Sequence, residues 1–455
     1  MSRVHPSARR SALLRRSFLR PYPEAVRGRG AWLWDADGRR YLDLAGSAAV
    51  NFIGHGVGEV AEAMARQARA LEFVHSSQFV TRVAEDFAAE VLAFAGEHFR
   101  GGKVYFTGGG SEAVETALKL ARQYQVETGH ARRFRILSRW QSYHGATLGA
   151  LAVSGNRRRR DIYVPMVRRP RQFEHVGLPY CYRCAYECGR CARSYADEVE
   201  QALEDSRSTT AAFIFEPVSG ATLGAAVPPR GYLERVARMC RRRGVLLIAD
   251  EVMTGFGRTG RNFAVEHFGV EPDILVAGKG IASGYAPLGA VIASRDVADA
   301  IARGSGAFVH GFTYNAHPVA MAAGRAVLSY MRRKRLVPAA DSARGGSAAA
   351  AFARALDLLR QCRSVGDVRG IGLLRGVEFV AEKESKRPFP PKLDFAGRVA
   401  QAAARRGVLV YPMQGCVDGL RGDHLLLAPP AVITPQEIAW AVERLHAAIE
   451  EAEGN

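Results

Sequence analysis

The sequence predicts an α/β protein, one large domain on a mostly parallel sheet joined to a smaller α+β unit. Three observations lead there. The chain has 455 residues, and 48% of them are hydrophobic, enough for a sizeable core; a typical domain takes roughly 100–200 residues. Between residues 57 and 330 short uninterrupted apolar runs alternate with helical stretches, the pattern of parallel strands covered on both faces. Beyond 330 that alternation stops.

The elements follow in order. Arg3, Arg9, Arg10, Arg15, Arg16 and Arg20 make the first twenty residues basic, and their longest apolar run is Ala12-Leu13-Leu14. That is too short for a secretory signal, although an organelle transit segment has the same Arg- and Ser-rich character. No apolar stretch reaches the roughly 20 residues a membrane helix needs, so a cytoplasmic chain without a membrane span is expected. Residues 31–44 read as a hairpin turning at Asp37-Gly38, a pair that tolerates positive φ. Residues 1–56 are expected to contribute to the small domain and to the site entrance, where Phe18 is a candidate substrate-binding residue. The large domain, 57–330, carries strands at Lys103–Thr107, Phe134–Leu137, Ala212–Phe215, Val245–Ala249 and Ile274–Ala277, with helices at Ser111–Gln125 and Tyr232–Arg243. In the smaller domain, 331–455, Gly345–Leu359, Arg398–Arg406 and Pro435–Glu451 read as helices, and Leu373–Val380 and Val408–Tyr411 as strands.

The formal net charge of +18 would suit an acidic partner such as nucleic acid. Its distribution argues against one. The lysines are Lys103, Lys119, Lys279, Lys334, Lys383, Lys386 and Lys392, so nearly all the charge is arginine, scattered along the chain. No helix-turn-helix, RRM-type or zinc-finger pattern accompanies it. The run Arg157–Arg160 reads as a solvated loop near the mouth of a site.

Four segments carry chemistry. Lys103-Val-Tyr-Phe-Thr-Gly-Gly-Gly-Ser-Glu passes from a strand through glycines into a helix. Bare N–H groups and the helix dipole make such a start an anion site, where Gly109 and Gly110 permit close backbone approach and Ser111 can donate a hydroxyl to phosphate. Val-Leu-Leu-Ile-Ala-Asp-Glu at 245–251 drives an apolar strand into carboxylates, costly unless a cation or donor meets them; a protonated pyridine nitrogen opposite Asp250 is such a partner. Lys279 follows the strand 274–277 between Gly278 and Gly280, where enclosure would lower its pKa and make it a competent amine for an imine. Ser142-Tyr143-His144-Gly145 offers an aromatic ring for stacking, and His144 is counted with it in the cofactor-binding set. Ligands bind at the carboxyl ends of strands in such sheets, which is where these residues fall.

The segments Gly110-Ser-Glu-Ala-Val-Glu-Thr-Ala-Leu-Lys, Glu216-Pro-Val, Asp250-Glu-Val-Met-Thr-Gly-Phe-Gly-Arg-Thr-Gly, Ala277-Gly-Lys-Gly and Phe312-Thr-Tyr-Asn together resemble the class III aminotransferases, a branch of the fold-type I pyridoxal-phosphate (PLP) enzymes. The likeness runs from about Gly28 to the final helix. It implies a seven-stranded, mostly parallel sheet and pyridoxal 5'-phosphate as cofactor. Residue by residue it implies that Lys279 is the Schiff-base lysine and Asp250 the partner of the ring nitrogen. Tyr143 would stack on that ring, and Glu216 would order Asp250 or meet the cofactor hydroxyl. Gly110 and Ser111 would hold the phosphate, and Thr313 would reach it from the neighbouring subunit of a homodimer. The implied reaction passes an amino group from an amine or amino acid to a 2-oxo acid through a Lys279 aldimine and pyridoxamine phosphate. An aminomutase, racemase or decarboxylating transaminase would use the same residues.

Three positions depart from members acting on ornithine- or 4-aminobutyrate-like substrates. Arginines usual in those members are replaced by Ala146 and Leu426, and a glutamate by Ala221, so the bidentate carboxylate clamp is missing. Arg421 resembles the mobile arginine of amine-type transaminases and is the second candidate substrate-binding residue. An amine or ω-amino acid donor is therefore expected, with a 2-oxo acid such as pyruvate or 2-oxoglutarate as acceptor. Cys181-x2-Cys184-x3-Cys188-x2-Cys191 lacks the spacing of a zinc ribbon and misses the usual ferredoxin runs. Reduced thiols or an opportunistic disulfide are expected there and no metal; Cys240, Cys362 and Cys416 read as packing residues.

Overall fold

A computed structural model describes residues 11–167, 172–187, 189–206, 208–337 and 347–454. Strands β1 (Ala25–Arg29), β2 (Trp32–Asp35) and β3 (Arg40–Asp43) open the chain, and the turn between β2 and β3 places Gly38 at φ 79°. The large sheet takes β4 (Lys103–Thr107), β5 (Arg135–Arg139), β6 (Phe173–Val176), β7 (Thr210–Phe215), β8 (Leu246–Asp250), β9 (Ile274–Ala277) and β10 (Gly289–Ala293). Their spatial order is β4-β10-β9-β8-β7-β5-β6. Only β10 runs against its neighbours, pairing antiparallel with both β4 and β9. Residues of β7, β8 and β9 are buried throughout, which is why they read as unbroken apolar runs: helices cover both faces.

The sequence missed β6 and β10. After residue 330 come β11 (Val365–Ile371), β12 (Leu374–Phe379), β13 (Val408–Leu409), β14 (Tyr411–Gln414) and β15 (Asp423–Leu427). Four of them form an antiparallel sheet, β11-β12-β15-β14, while β13 joins β1-β2-β3 by pairing parallel with β3. The stretch 408–411, read as one strand, therefore passes from one sheet to another. Helices at Gly110–Glu127, Tyr232–Arg243, Ala348–Leu356, Phe395–Arg405 and Pro435–Gly454 match their expected places within a few residues. None of the described helices is long and apolar enough to cross a membrane.

The β11–β12 hairpin is locked onto the segment that carries Asp250. Gly372, at φ 62°, lies so close to Thr259 that a Cβ would come 2.3 Å from its carbonyl carbon. Both the strained φ and the overlap fall on any other residue here. Gly372→Ala is expected to cost about 2–4 kcal/mol, seen as a lowered melting temperature; an unchanged one would contradict the packing.

Candidate active site

Asp250 ends β8, Glu216 follows β7, Tyr143 and His144 lie in the turn after β5, and Lys279 follows β9. The parallel arrangement delivers all of them to one edge of the sheet. Asp250 and Glu251 diverge, as the pleat requires of adjacent residues. Glu251 turns into the core, where it accepts from the Thr254 hydroxyl and from Val265 N–H at 2.8 Å. Burial pushes its carboxyl up to about 7.

Asp250 is the centre of a small network. Its Oδ2 lies 2.7 Å from His144 Nδ1, and its Oδ1 accepts from Val252 N–H at 3.1 Å. A carboxylate only accepts, so the His144 proton sits on Nδ1. Both side chains are buried, and His144 Nε2 meets no partner among the described residues. Glu216 accepts from Tyr143 N–H at 3.2 Å and Gly220 N–H at 3.0 Å. Its carboxyl is raised, first by burial and further by the neighbouring Asp250 charge. Arg139, also buried, donates to the Glu216 carbonyl and fixes the turn after β7.

Lys279 is half-buried and holds φ at 45°, a left-handed conformation that costs about 1–2 kcal/mol for a residue with a Cβ. Desolvation lowers its ammonium pKa below the ordinary 10.5. The Asp250 and Glu216 carboxylates oppose that shift, while the Arg159 and Arg258 charges add to it. Gly278 and Gly110 face each other across Val252: a Cβ at Gly110 would come 2.8 Å from Val252 Cγ1, and one at Gly278 3.2 Å from it. Val252 thus packs against both glycines, a contact no sequence signal announced.

Gly110 begins the helix after β4, with Ser111 behind it. Ser111 Oγ accepts from Ala146 N–H at 3.0 Å, tying this turn to the one that carries Tyr143. Gly145 permits the approach; its Cβ would stand 2.7 Å from Ser111 Oγ. Arg258 anchors a third wall. Fully buried, it donates to the carbonyls of Ala428 (2.9 Å), Pro429 (2.6 Å) and Asn51 (2.8 Å). The segments 250–260 and 426–430 and the N-terminal loop are joined through this one side chain.

Other expected residues lie apart from this cluster. Thr313 is exposed, beside the exposed apolar side chains Val309 and Tyr314. Phe18 is exposed on the irregular segment before β1 and belongs to no core cluster. Arg421 is exposed and spent on Asp418, with Nε 2.7 Å from Oδ2. Ala146 is exposed, whereas Ala221 and Leu426 are buried. Cys181 is exposed, Cys184 half-buried and Cys191 buried, the last two as free thiols; Cys188 lies outside the described residues. No group of three metal-ligating side chains occurs among the described residues. Cys240, Cys362 and Cys416 are buried. The arginine run forms a single helical turn, Arg157–Arg160, and is not uniformly solvated: Arg159 and Arg160 are half-buried.

The family profile described as aminotransferase class-III matches residues 19–449. An uncharacterized aminotransferase, YodT of Bacillus subtilis (strain 168), is 38% identical over 433 residues, covering 94% of this chain and 95% of that protein. A thermostable (S)-enantioselective ω-transaminase from Thermomicrobium roseum is 36% identical, with a TM-score of 0.87 over 97% of this chain and 96% of that one. An amine transaminase from an uncultivated Pseudomonas species, solved in its PLP-bound form, is 34% identical, with a TM-score of 0.85 over 98% of both chains. With its sheet order and small domain, the fold is that of the fold-type I transaminases. The chain belongs to the class III aminotransferases.

Proposed function

We propose that this aminotransferase is PLP-dependent and moves an amino group from an amine or ω-amino acid to a 2-oxo acid such as pyruvate or 2-oxoglutarate. The observation that carries the reading is the meeting of Lys279 with the His144–Asp250 pair at one sheet edge. PLP suits these residues. Gly110 N–H and Ser111 Oγ are a phosphate cradle at a helix start, which a Cβ at Gly110 would spoil by meeting Val252. Tyr143 supplies a ring to stack, Glu216 a second carboxyl, and Asp250 an acceptor for a pyridine N–H. When bound, the cofactor supplies a sink for the electrons left on the substrate carbon once its proton is removed.

The remaining work falls to the protein. His144 and the Val252 N–H hold Asp250 in place, so its charge would meet a pyridine N–H without reorganisation. Lys279 Nζ, disposed to neutrality by desolvation, would serve as the base that takes the proton from the amine-bearing carbon and then, as the acid, hold that proton for return. Because its pKa is lowered, the neutral amine is reached at lower pH than for an ordinary lysine. Reductive modification of the cofactor-free chain by a small aldehyde is therefore expected to rise at Lys279 with a midpoint below pH 10.5, read by peptide mass spectrometry. A midpoint at or above that value contradicts the enclosure.

Support for the donor class comes from Ala146, Ala221 and Leu426, none of which can clamp a substrate carboxylate. Arg421, released from Asp418, and Phe18 are the proposed substrate contacts at the mouth. A homodimer is proposed as well, with Thr313 reaching the neighbouring site. Its support is a set of exposed apolar side chains: Phe79, Val80, Val309 and Tyr314 are all more than half exposed, and Phe73 packs on Tyr314 with ring centres 5.6 Å apart. Surfaces of that kind mark interfaces. The test is a panel of neutral amines, ω-amino acids and α-amino acids offered to the holoenzyme with pyruvate or 2-oxoglutarate, followed by absorbance and chromatography. Turnover confined to α-amino acids would overturn the donor assignment. A monomer by light scattering would overturn the dimer.

A further inference from the structure

Arg159 stands out among the charged groups near the site. The one-turn helix Arg157–Arg160 is capped by Asn156, whose Oδ1 accepts from Arg159 N–H at 3.3 Å. The turn leaves Arg157 and Arg158 exposed and brings Arg159 and Arg160 inward, and of these two Arg159 is the one stacked on Tyr143. Its guanidinium carbon lies 4.4 Å from the centre of the Tyr143 ring. Among the described residues that guanidinium makes no hydrogen bond and no ion pair. The buried arginines nearby are spent on the protein: Arg139 donates to the Glu216 carbonyl and Arg258 to three carbonyls. Arg421 is held by Asp418. A half-buried fork of five N–H donors left unspent over the Tyr143 ring is a costly arrangement unless an anion completes it.

We propose that Arg159 is the carboxylate-recognising residue of this active site, taking the anionic end of the 2-oxo acid acceptor while its guanidinium stays stacked on Tyr143. The inference rests on the transaminase reading above and assigns the acceptor's carboxylate to Arg159 rather than to Arg421. Arginine pairs with carboxylate in bidentate fashion, and an aromatic face orients the fork for it. Arg159 also acts at the right range, since its charge is among those that depress the Lys279 ammonium. A neutral amine donor gains nothing from such a group, so one site can serve both half-reactions without displacing an arginine. The helical turn is braced against the Arg421 loop: a Cβ at Gly419 would come 2.8 Å from Arg157 Cβ.

The test uses the holoenzyme and the variants Arg159→Met, which keeps an apolar stem over Tyr143, and Arg159→Lys, which keeps the charge without the fork. Arg159→Met is expected to raise the acceptor KM about 20–100-fold and to change the KM for a neutral primary amine less than about 3-fold, with Arg159→Lys recovering part of the loss. Calorimetry with glutarate, which cannot react, gives a second readout: binding to the wild type, none to the Arg159→Met variant. An unchanged acceptor KM and unchanged glutarate affinity would overturn the proposal. So would an equal loss for donor and acceptor with a shifted cofactor absorbance, which marks a mere support for Tyr143. Arg421→Gln is run beside it; if acceptor affinity follows residue 421 and not 159, the anion site lies on the loop and the proposal falls. A wild type that binds glutarate through Arg159 but transfers no amino group would instead sink the transaminase reading alone.

Discussion

Replacing Lys279 by alanine is expected to lower amino-group transfer by at least about 10⁴-fold, the upper range for loss of a positioned proton-transfer group, while the fold survives. The survival follows from the backbone. Lys279 sits at φ 45°, and the strain of about 1–2 kcal/mol there comes from its Cβ, which alanine retains. The chemical loss follows from position: Nζ is the one lysine amine at the sheet edge where Asp250 and Glu216 converge, and both carboxylates act on its charge. The other lysines lie elsewhere, Lys103 at the start of β4 and Lys334 after the Pro318–Arg333 helix. Turnover of an amine with pyruvate, measured together with the melting temperature, checks the claim. Peptide mass spectrometry after borohydride treatment should find a cofactor adduct at residue 279 in the wild type and none in the variant. Activity above about a tenth of wild type in a folded Lys279→Ala protein would remove this side chain from the mechanism and the proposed function with it.

The parts legible in the sequence were those whose physics is local. Strands buried on both faces need apolar residues at every position, so β7, β8 and β9 announced themselves, and the polar residues closing them marked the site edge. A helix start after glycines is equally local, as Gly110 and Ser111 show. What escaped depends on partners distant in sequence. β6 reads Phe-Glu-His-Val, the mixed polarity of an edge strand with one neighbour. β10 is apolar enough, but its antiparallel place between β4 and β9 is decided by the sheet. The break at Val410 arises because two sheets compete for consecutive residues of one segment. His144 entered the candidate set beside Tyr143 with no mechanism attached, since Asp250 stands 106 positions away. Arg159 was hidden by its neighbours: four consecutive arginines look alike until a capped turn decides which of them faces inward.

Asp250→Asn is expected to reduce turnover about 10²–10⁴-fold, the second largest effect. The substitution keeps shape and one carbonyl oxygen but removes the charge proposed to hold a proton on the ring nitrogen. His144 Nδ1 still finds an acceptor only if the amide oxygen replaces Oδ2 at 2.7 Å, so the variant stays folded while its electrostatics fail. The role of His144 then becomes measurable. If it acts by aiming Asp250, His144→Phe should cost about 10–100-fold alone, the range of a supporting hydrogen bond behind a working group, and His144→Asn should recover part of it through an amide N–H near the Nδ1 position. In the Asp250→Asn background the same His144→Phe change should cost far less, because there is no carboxylate left to aim. Residues in one hydrogen-bond network show such non-additivity, and residues acting independently do not. Equal costs of His144→Phe in the two backgrounds would make the histidine a packing residue. A fully active Asp250→Asn enzyme would mean that the negative charge at the end of β8 does not matter to the reaction, and the electrostatic half of the mechanism would have to be abandoned while Lys279 kept its place.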